Sequence, residues 1–474
     1  MASDPNRDRS EEDSHLGRFL SAGDVAASLL PAIAEPDDHY SDAFTQQIVR
    51  YSVEGLTTFK AGRQLPMNLR SKGLLTEGVA FHYLGDRVAF AAANGLTPDL
   101  ISATARDVET ASDLVQTIVP EHTTLPVPPE VGSGLTALVH ETADATLSLL
   151  EQCRHLRVRI ATFDRRSAVA NTRSHRGVSV SRRTELHVEL QTAAGVVKGT
   201  WVDWDEPDQP SFSADEIAME LNQRAARLTL VTDDGPKTAA VLLPPGWGGT
   251  WMHEAVGHLL EADTATSDRS ALHDRYGNRV TIDAVTIVDD GTLRPSRFVR
   301  ESDDEGVATT STTLIDGGIV VGLLTDRVTA AKTGLPLTGN GRRAHFGLPP
   351  RPRMTNLLLR PGASNRADMI SSCDELVLLD RVGHAWLNAQ DGKLYMEIEE
   401  ASLFRQGRFV RPLGGMVASA DPLQLLSDVV GVGTDFAVDL NRGYCLKDGA
   451  SLPVTIGQPS VLVRSMQFMP AHSP

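Results

Sequence analysis

The sequence contains few cysteines, no long apolar run and a deficit of basic residues. Its three cysteines, Cys153, Cys373 and Cys445, are scattered among 474 residues and form no CxxC pair. This spacing does not support a disulfide framework and predicts reduced thiols. No apolar run approaches the roughly eighteen residues that a membrane-spanning helix requires, and the N-terminal residues lack the apolar core of a signal peptide. These absences predict a cytoplasmic protein that does not associate with membranes.

The charge balance is acidic. The chain carries 45 Lys and Arg residues against 61 Asp and Glu residues, a formal net charge of -16. A field of this sign repels phosphate backbones, so we expect no nucleic-acid partner. The length exceeds one ordinary core, and a 41% hydrophobic fraction is enough to fill two domains.

The hydrophobic pattern predicts an α+β protein of two domains. Residues 1–15 are polar and are predicted to be disordered. Residues 16–231 combine helical periodicity with strand-like segments, which predicts an N-terminal mixed α/β domain. The turn-rich stretch 232–236 is the predicted boundary, and residues 236–474 predict a C-terminal, mainly antiparallel β domain that carries the motif helix described below.

Four helices and several short strands are expected in the first domain. The helices are predicted at 16–33, at 97–115, at 131–156, and from a capping box at Ser213–Glu216 to residue 228. The strand-like segments are 47–53, 78–83, 87–92, 157–163, 178–181, 186–191 and 196–202.

Turn residues predict hairpins in the second domain, which begins with a strand at Thr238–Leu243. Residues 280–288 alternate as a strand does. Asp316-Gly317-Gly318, Asp391-Gly392 and Gln406-Gly407 each separate two strand-like segments, as hairpin turns do. The paired segments are 312–314 with 319–324, 385–387 with 394–398, and 401–404 with 409–410.

The stretch His253-Glu254-Ala255-Val256-Gly257-His258 reads HExxxH. Two histidines about one helical turn apart can offer imidazoles to zinc, and the adjacent Glu can act on the metal's water. The spacing is one residue longer than HExxH, and positions five apart on an ideal α-helix are rotated by about 140°. Either the spacing is accidental, in a helix with hydrogen-bonded histidines, or a π-bulge widens the helix. Gly257 favours the bulge, because a mid-helix Gly costs about 1 kcal/mol relative to Ala and needs a reason.

A catalytic zinc requires a third protein ligand, and the residues leave several candidates open. Glu261 and Asp263 follow the motif closely, and Glu261 could either ligate the metal or orient an imidazole. The distant candidates are His273, His345, His384 and Cys445. Cys445 lies in an apparent tight turn, where Lys447 could help to keep a thiolate ionised. However, free Cys is among the most buried residue types. For this residue taken alone, a buried inert thiol is therefore the favoured interpretation.

Several stretches, in one order, resemble the TldD and PmbA (TldE) family of metallopeptidases, specifically its metal-binding TldD side. The resemblance covers the second domain and is fainter over residues 78–111. The matching blocks are His253–His258 with Leu260–Asp263, Asp303–Val307, Leu323–Arg327, Thr338–Arg343, Pro352–Asn356, Cys445–Gly449, Pro453-Val454 and Gly457–Pro459.

The resemblance implies a zinc (Zn²⁺) metallopeptidase. It implies that His253, His258 and Cys445 hold the ion and that Glu254 is the general base. It further implies a heterodimer with a TldE/PmbA-like homologous subunit, a homodimer being the other possibility, and an extended peptide or modified peptide bound as an added strand. Leu446 and Ala450 depart from the family's cysteine block, where Gly and Gln are expected, which points to a specialised substrate, as in natural-product or modified-peptide maturation.

Other residues remain candidates for supporting roles. Asn340, Arg342 and the amides of Gly248 and Gly249 could stabilise an oxyanion, although each could equally be a turn or salt-bridge residue. The acidic run at 303–305 is either a solvated turn or a fixed element near the cleft. Two other functions remain open: a zinc amidohydrolase acting on a non-peptide metabolite, and a non-catalytic partner subunit of a peptidase complex.

Overall fold

The computed structural model describes most of the chain. The described residues are 18–33, 40–60, 63–64, 66–85, 88–110, 114–148, 153–203, 212–231, 235–267, 270–294, 296, 300–440 and 443–470. The disorder predicted for residues 1–15 and most of the boundary predicted at 232–236 lie outside these residues. The architecture is α+β, as predicted.

The N-terminal part is built on one sheet of nine described strands. Its order is β5-β4-β3-β1-β7-β8-β9, with β2 paired to β1 and β6 to β3, and the pairings are antiparallel except for β4 with β5. The strands are β1 Tyr40–Lys60, β2 Arg63–Gln64, β3 Asn68–Leu84, β4 Val88–Asn94, β5 Leu114–Val115, β6 Thr123–Leu125, β7 Cys153–Asn171, β8 Arg176–Thr192 and β9 Val196–Asp203.

The central strands are much longer than predicted. β1 runs for 21 residues and β7 for 19, where short segments were expected. The first five residues of β3 are exposed, so these strands extend beyond the apolar core and are held there by pairing with their neighbours. The apolar pattern marked only part of each strand, because it also missed core residues such as Phe44 of β1 and Val169 of β7.

The helices pack against this sheet. Residues 18–28 are helical, and the other helices are Leu30–Ile33, Pro98–Thr110, Pro129–Ser148 and Ala214–Leu228. Ser213 caps the last of these by accepting a hydrogen bond from the Glu216 amide, as predicted. The helix predicted at 131–156 was wrong at its C-terminal end, because residues 153–156 belong to β7 and pair with β8. The helix predicted to reach 115 ends at Thr110, and Leu114–Val115 pairs with β4.

The C-terminal part contains two larger sheets and two hairpins. One sheet has the order β10-β17-β18-β20-β26-β21, with β19 paired to β18 and β10 paired also to β26; the other has the order β13-β12-β11-β16-β25-β22. The pairings are antiparallel except for β10 with β17 and β16 with β25. The strands are β10 Thr238–Leu243, β11 Ile287–Asp290, β12 Ser311–Asp316, β13 Ile319–Val320, β14 Gly341–Arg342, β15 Arg351–Pro352, β16 Asn356–Leu359, β17 Glu375–Leu387, β18 Leu394–Arg405, β19 Arg408–Leu413, β20 Met416–Ala420, β21 Val429–Val432, β22 Ala437–Asp439, β23 Tyr444–Lys447, β24 Ala450–Pro453, β25 Thr455–Gln458 and β26 Val461–Pro470.

The three predicted hairpins are present. β12 pairs with β13, β17 with β18, and β18 with β19, each across the predicted turn. β10 has the predicted bounds, whereas of the alternating stretch 280–288 only residues 287 and 288 lie in a strand, β11, which continues to Asp290. Short helices connect the strands; they are Ala262–Ala265, Arg327–Thr333, Arg366–Ser371 and Pro422–Ser427.

The motif segment lies inside the largest hydrophobic core. It consists of a 3-10 turn Gly246–Gly249, an α turn Thr250–Met252, a π-helical turn His253–Gly257 and a 3-10 turn His258–Leu260. Trp251, Val256 and Leu260 are fully buried in that core, which also contains side chains of both C-terminal sheets. Every residue from Thr250 to Leu260 except Glu254 is buried, which fixes the position of this otherwise irregular helix.

Buried contacts join the N-terminal sheet to the C-terminal part. Phe346 packs with Phe44 and Phe90 in a cluster of its own. The Tyr40 hydroxyl donates to the carbonyl oxygen of Glu305 at 2.8 Å. In the described part of the chain, no helix is long and apolar enough to cross a membrane.

Candidate metal centre

A π-helical turn brings the two motif histidines together. The His258 amide donates to the carbonyl oxygen of His253, five residues earlier, so the helix is widened as the sequence predicted. The two imidazole rings lie 4.9 Å apart between centroids, at 86° to each other. Gly257 is required here, because a Cβ at this position would collide with the Met354 sulfur and lie 3.1 Å from a Leu357 methyl.

Cys445 reaches the two histidines from almost two hundred residues away. One ligand atom from each of His253, His258 and Cys445 lies within 4.8 Å of the others, and all three side chains are buried. Cys445 Sγ is 3.4 Å from His258 Nε2. Nitrogen and sulfur ligands of one tetrahedral zinc ion are separated by about 3.5 Å, so this pair fits a shared ion. Buried Nδ1 of His253 has no hydrogen-bond partner among the described residues.

The far side of the His258 ring is held by Glu261. Nδ1 of His258 lies 3.0 Å from Glu261 Oε2, which orients the ring and leaves Nε2 toward Cys445. Lys447 in turn donates to Glu261 at 2.8 Å and to Asp263 at 2.7 Å. A carboxylate that fixes a ligating imidazole in this way is the usual partner of a metal-bound histidine. Of the two roles left open for Glu261, its contacts match the orienting one.

Cys445 lies on a strand rather than in a turn. It belongs to β23, opposite Leu452 of β24, and the turn is formed by Asp448 and Gly449, both with positive φ. Two such residues form a hairpin turn whose twist matches the strands. Arg353 donates to Cys445 Sγ at 3.0 Å and to its carbonyl oxygen at 2.8 Å.

Arg353 therefore provides the positive charge next to the sulfur that was expected from Lys447, while Lys447 binds carboxylates. Arg353 was singled out only as part of a family block. Nothing in its local sequence connects it to a cysteine 92 positions away.

The buried groups perturb one another's ionisation. Burial alone would raise the pKa of the Cys445 thiol, but the charges of His258 and His253 lower it well below its usual value. Conversely, burial would lower the pKa of His258, yet Cys445 and Glu261 raise it well above its usual value. Burial opposes the ionisation of Glu261 too, but His258 and then Lys447 lower its pKa to about 2. The cluster thus favours a thiolate, a ligand that binds zinc strongly.

Glu254 stands next to the three candidate ligands without belonging to their group. Its side chain is half-buried and makes no hydrogen bond within the described residues. Burial raises the pKa of Glu254, and the nearby His258 and His253 oppose that rise. A carboxylate with a raised pKa beside a metal site is suited to accepting a proton near neutral pH.

The remaining candidate ligands lie outside the group. Asp263 binds Lys447, His273 contacts the Ala265 carbonyl oxygen, and His345 accepts from the Gly347 amide. His384 is exposed and stacks on Trp386, although it is near enough to Glu254 to affect its pKa.

The candidates for oxyanion stabilisation have structural contacts. The Asn340 amide donates to Asp289 Oδ1 at 2.9 Å and to the Arg353 carbonyl oxygen at 3.0 Å. The Arg342 guanidinium donates to the carbonyl oxygens of Met354 and Pro453. Buried Gly248 and Gly249 lie against Gln458, where a Cβ at Gly248 would be 2.8 Å from its amide nitrogen. Their part in catalysis stays a prediction.

Residues 236–469 match the sequence profile of the PmbA/TldA metallopeptidase C-terminal domain. A protein named metalloprotease TldD homolog from Haemophilus influenzae is 34% identical over 250 residues, 52% of either chain. The C-terminal half of this chain belongs to the PmbA/TldD metallopeptidase family. A metalloprotease of Methanocaldococcus jannaschii is 33% identical over 241 residues, 51% of this chain and 53% of that one. The chain spans about half the length of the curated relatives it matches.

Solved structures share the fold over nearly the whole chain. TldE from Thermococcus kodakarensis matches with a TM-score of 0.63, covering 95% of this chain and 99% of that one at 15% identity. A proposed modulator of DNA gyrase from Bacteroides thetaiotaomicron matches with a TM-score of 0.68, covering 97% and 99% at 15% identity. The N-terminal sheet is therefore part of the fold that this chain shares with TldE.

The structure shows the surroundings of Leu446 and of the acidic run at 303–305. Leu446, which departs from the family's cysteine block, is 56% exposed and faces away from the sulfur, so it does not fill the metal pocket. The acidic run at 303–305 is buried rather than solvated. Asp303 accepts the amides of Glu305 and Val307, and the solvated-turn interpretation was wrong.

Proposed function

We propose that this chain is a zinc-dependent metallopeptidase of the TldD type, with His253, His258 and Cys445 as the metal ligands and Glu254 as the general base. The convergence of two imidazoles and one buried sulfur, described above, carries the proposal. Three ligands of this kind are the set that catalytic zinc sites use, leaving a fourth position for water or substrate. The relatives named metalloproteases support the reaction class.

The protein's own residues divide the work as follows. Zinc, when bound, lowers the pKa of water and polarises a carbonyl oxygen. The Glu254 carboxylate accepts a proton from the attacking water and then delivers it to the leaving amine nitrogen. Glu261 keeps His258 in the tautomer that presents Nε2 to the metal. Arg353 donates to the Cys445 sulfur and favours its thiolate form.

We infer that the substrate is an extended, small or modified peptide whose amide bond is cleaved, as in natural-product or peptide maturation. We also infer pairing with a TldE/PmbA-like subunit, with a homodimer as the other arrangement. The family resemblance supports both inferences, and the shared fold with TldE is compatible with the second.

The test uses Glu254→Gln in the full chain, assayed alone and co-expressed with a TldE/PmbA-like subunit. A pool of short internally quenched peptides reports hydrolysis, and elemental analysis reports zinc. We expect hydrolysis to fall at least about a hundred-fold, because the base is lost, while zinc per chain stays unchanged, because no ligand is altered.

Glu141→Gln is the matched control, since Glu141 is exposed on the helix Pro129–Ser148 and should leave the rate unchanged. If Glu254→Gln hydrolysed the peptides at the parental rate, another group would be the base. Absence of hydrolysis by the parent with either subunit composition would reject the peptidase proposal for this substrate class.

A further inference from the structure

A second group of buried ligand-type side chains lies at the junction between the N-terminal sheet and the C-terminal part. Asp42 on β1, His82 on β3 and Glu305 in the acidic run each offer one ligand atom, and these atoms lie within 4.8 Å of one another. Their exposed fractions are 0%, 2% and 0%. None of the three belongs to the His253, His258 and Cys445 group.

The contacts within this group leave one carboxylate oxygen without a partner among the described residues. His82 Nδ1 is 3.3 Å from Asp42 Oδ2, a separation that two ligands bound about 2.1 Å from one ion would also show. Glu305 Oε2 accepts the Arg327 amide at 2.9 Å, whereas Oε1 is buried and has no hydrogen-bond partner among the described residues. A buried carboxylate oxygen without a partner is costly and calls for a cation, a proton or a water.

The local charge favours a cation. Asp42, Asp303 and Asp326 all act on Glu305 as like charges. Opposing them are two guanidinium groups, Arg343, which forms a fully buried ion pair with Asp42, and Arg327, which lies over the Tyr40 ring. Because Arg343 is already paired with Asp42, a bound cation would relieve the repulsion among the remaining buried carboxylates.

We propose that Asp42, His82 and Glu305 form a second metal site, which takes a divalent transition ion such as Mn²⁺ or Zn²⁺. One imidazole and two carboxylates suit these ions better than Ca²⁺ or Mg²⁺, which prefer oxygen ligands alone. The ion would join two strands of the N-terminal sheet to the loop that carries Glu305. Both the Tyr40 hydroxyl and the Asn171 amide already hold the Glu305 carbonyl oxygen, so the loop is positioned for ligation.

The alternative is an un-ionised Glu305 carboxyl that donates to Asp42, with an ordinary His82–Asp42 hydrogen bond. Metal content separates the two, provided that the first site is disabled. The starting protein is therefore the full chain carrying Cys445→Ser and His258→Ala, which is equilibrated with Mn²⁺ or Zn²⁺ alone, desalted and analysed for metal.

We expect this starting protein to retain about one ion per chain, and the addition of His82→Asn to lower binding affinity by at least about ten-fold. Asn keeps a donor near the position of Nδ1 and so preserves the contact with Asp42, but it is a poor ligand for transition metals. His140→Asn, on an exposed helical position, is the control and should change nothing.

A second measurement does not depend on the fold of any new variant. Mn²⁺ bound to the starting protein should show the nitrogen coupling of one imidazole in pulsed electron paramagnetic resonance. The second site would be refuted by a starting protein that retains no metal, by retained Mn²⁺ without nitrogen coupling, or by His82→Asn with undiminished affinity. None of these results would bear on zinc at the first site.

Discussion

Two basic side chains supply positive charge at different points of the candidate metal centre. Arg353 binds the Cys445 sulfur, and Lys447 binds the Glu261 carboxylate that orients His258. An arginine is suited to a buried sulfur because it stays protonated there and donates along several directions. The lysine instead completes a chain from Asp263 through Glu261 to the imidazole. Cys445 and His258 therefore each have an outer partner of their own, whereas Nδ1 of His253 has none among the described residues.

His345 should make the protein sensitive to acid. Burial and the nearby Arg165 guanidinium lower the pKa of His345 to about 4, whereas in the unfolded chain it is near 6.5. Between these two values the unfolded state binds more protons, so the free energy of unfolding falls as the pH falls from about 6.5 to about 4. We expect His345→Asn to remove part of this loss. Thermal unfolding at several pH values between 7 and 4 measures it.

The asparagine can still accept the Gly347 amide, which donates to His345 Nδ1 at 3.1 Å. Any release of metal from the candidate centre at low pH would affect parent and variant alike, so the difference between the two curves isolates His345. His140→Asn should follow the parent curve. Parallel curves for His345→Asn and the parent would contradict the prediction.

At the scale of single residues, the sequence predicted local structure where residue type and spacing indicated the same feature. The HExxxH spacing and Gly257 together predicted the π-helical turn. The third ligand could not be chosen from the residues alone, because a buried Cys is common and contact over 187 positions leaves no local pattern. Only the family resemblance indicated Cys445, and nothing indicated that Asp42 and His82 approach Glu305.

At the level of elements, local turn chemistry was more reliable than apolar pattern. The hairpins at Asp316–Gly318, Asp391-Gly392 and Gln406-Gly407 were predicted because their turns are specified by adjacent residues. The length of β1 was not predicted: its residues 54–56 pair with β3 and β7 outside the apolar clusters, while Ala43 and Phe44 are core residues that lie before the predicted segment. Pairing with distant strands also converted residues 153–156 from a predicted helix to β7.

The close packing around the π-helical turn can be tested by substitution of its glycine. Gly257→Ala should lower the free energy of unfolding by about 1–3 kcal/mol, because the new methyl group would collide with the Met354 sulfur in a filled core. It should also reduce zinc retention, since the helix must shift to make room and the two histidines flank this turn. Chemical denaturation and elemental analysis measure the two effects.

Gly134→Ala is the matched control. Gly134 lies in the helix Pro129–Ser148, and a Cβ there would meet nothing within 4 Å. Alanine at that position should raise stability by about 0.5–1 kcal/mol and leave zinc unchanged. If Gly257→Ala behaved as Gly134→Ala does, the close approach would not be the reason for glycine in the motif.

At the scale of the whole molecule, buried side-chain contacts join the N-terminal sheet to the C-terminal part. Phe346 comes from the C-terminal part, yet it is fully buried with Phe44 and Phe90 of the sheet. A Cβ at Gly78 would collide with the Phe346 ring, so the absence of a side chain at this position of β3 allows the ring to pack there. The buried ion pair of Arg343 with Asp42 lies beside this contact. We therefore expect the two parts to unfold as one cooperative unit.

Phe346→Ala tests that expectation. Removing the ring should lower the free energy of unfolding by about 3–5 kcal/mol, as deletion of a buried aromatic side chain does. Because the ring connects the two parts, hydrogen–deuterium exchange should lose protection equally in peptides of β3 and β4 and in peptides of the C-terminal sheets. Phe409→Ala, at a position 57% exposed, should cost about 0.5 kcal/mol or less. Loss of protection confined to one part would show that the N-terminal sheet and the C-terminal part unfold independently.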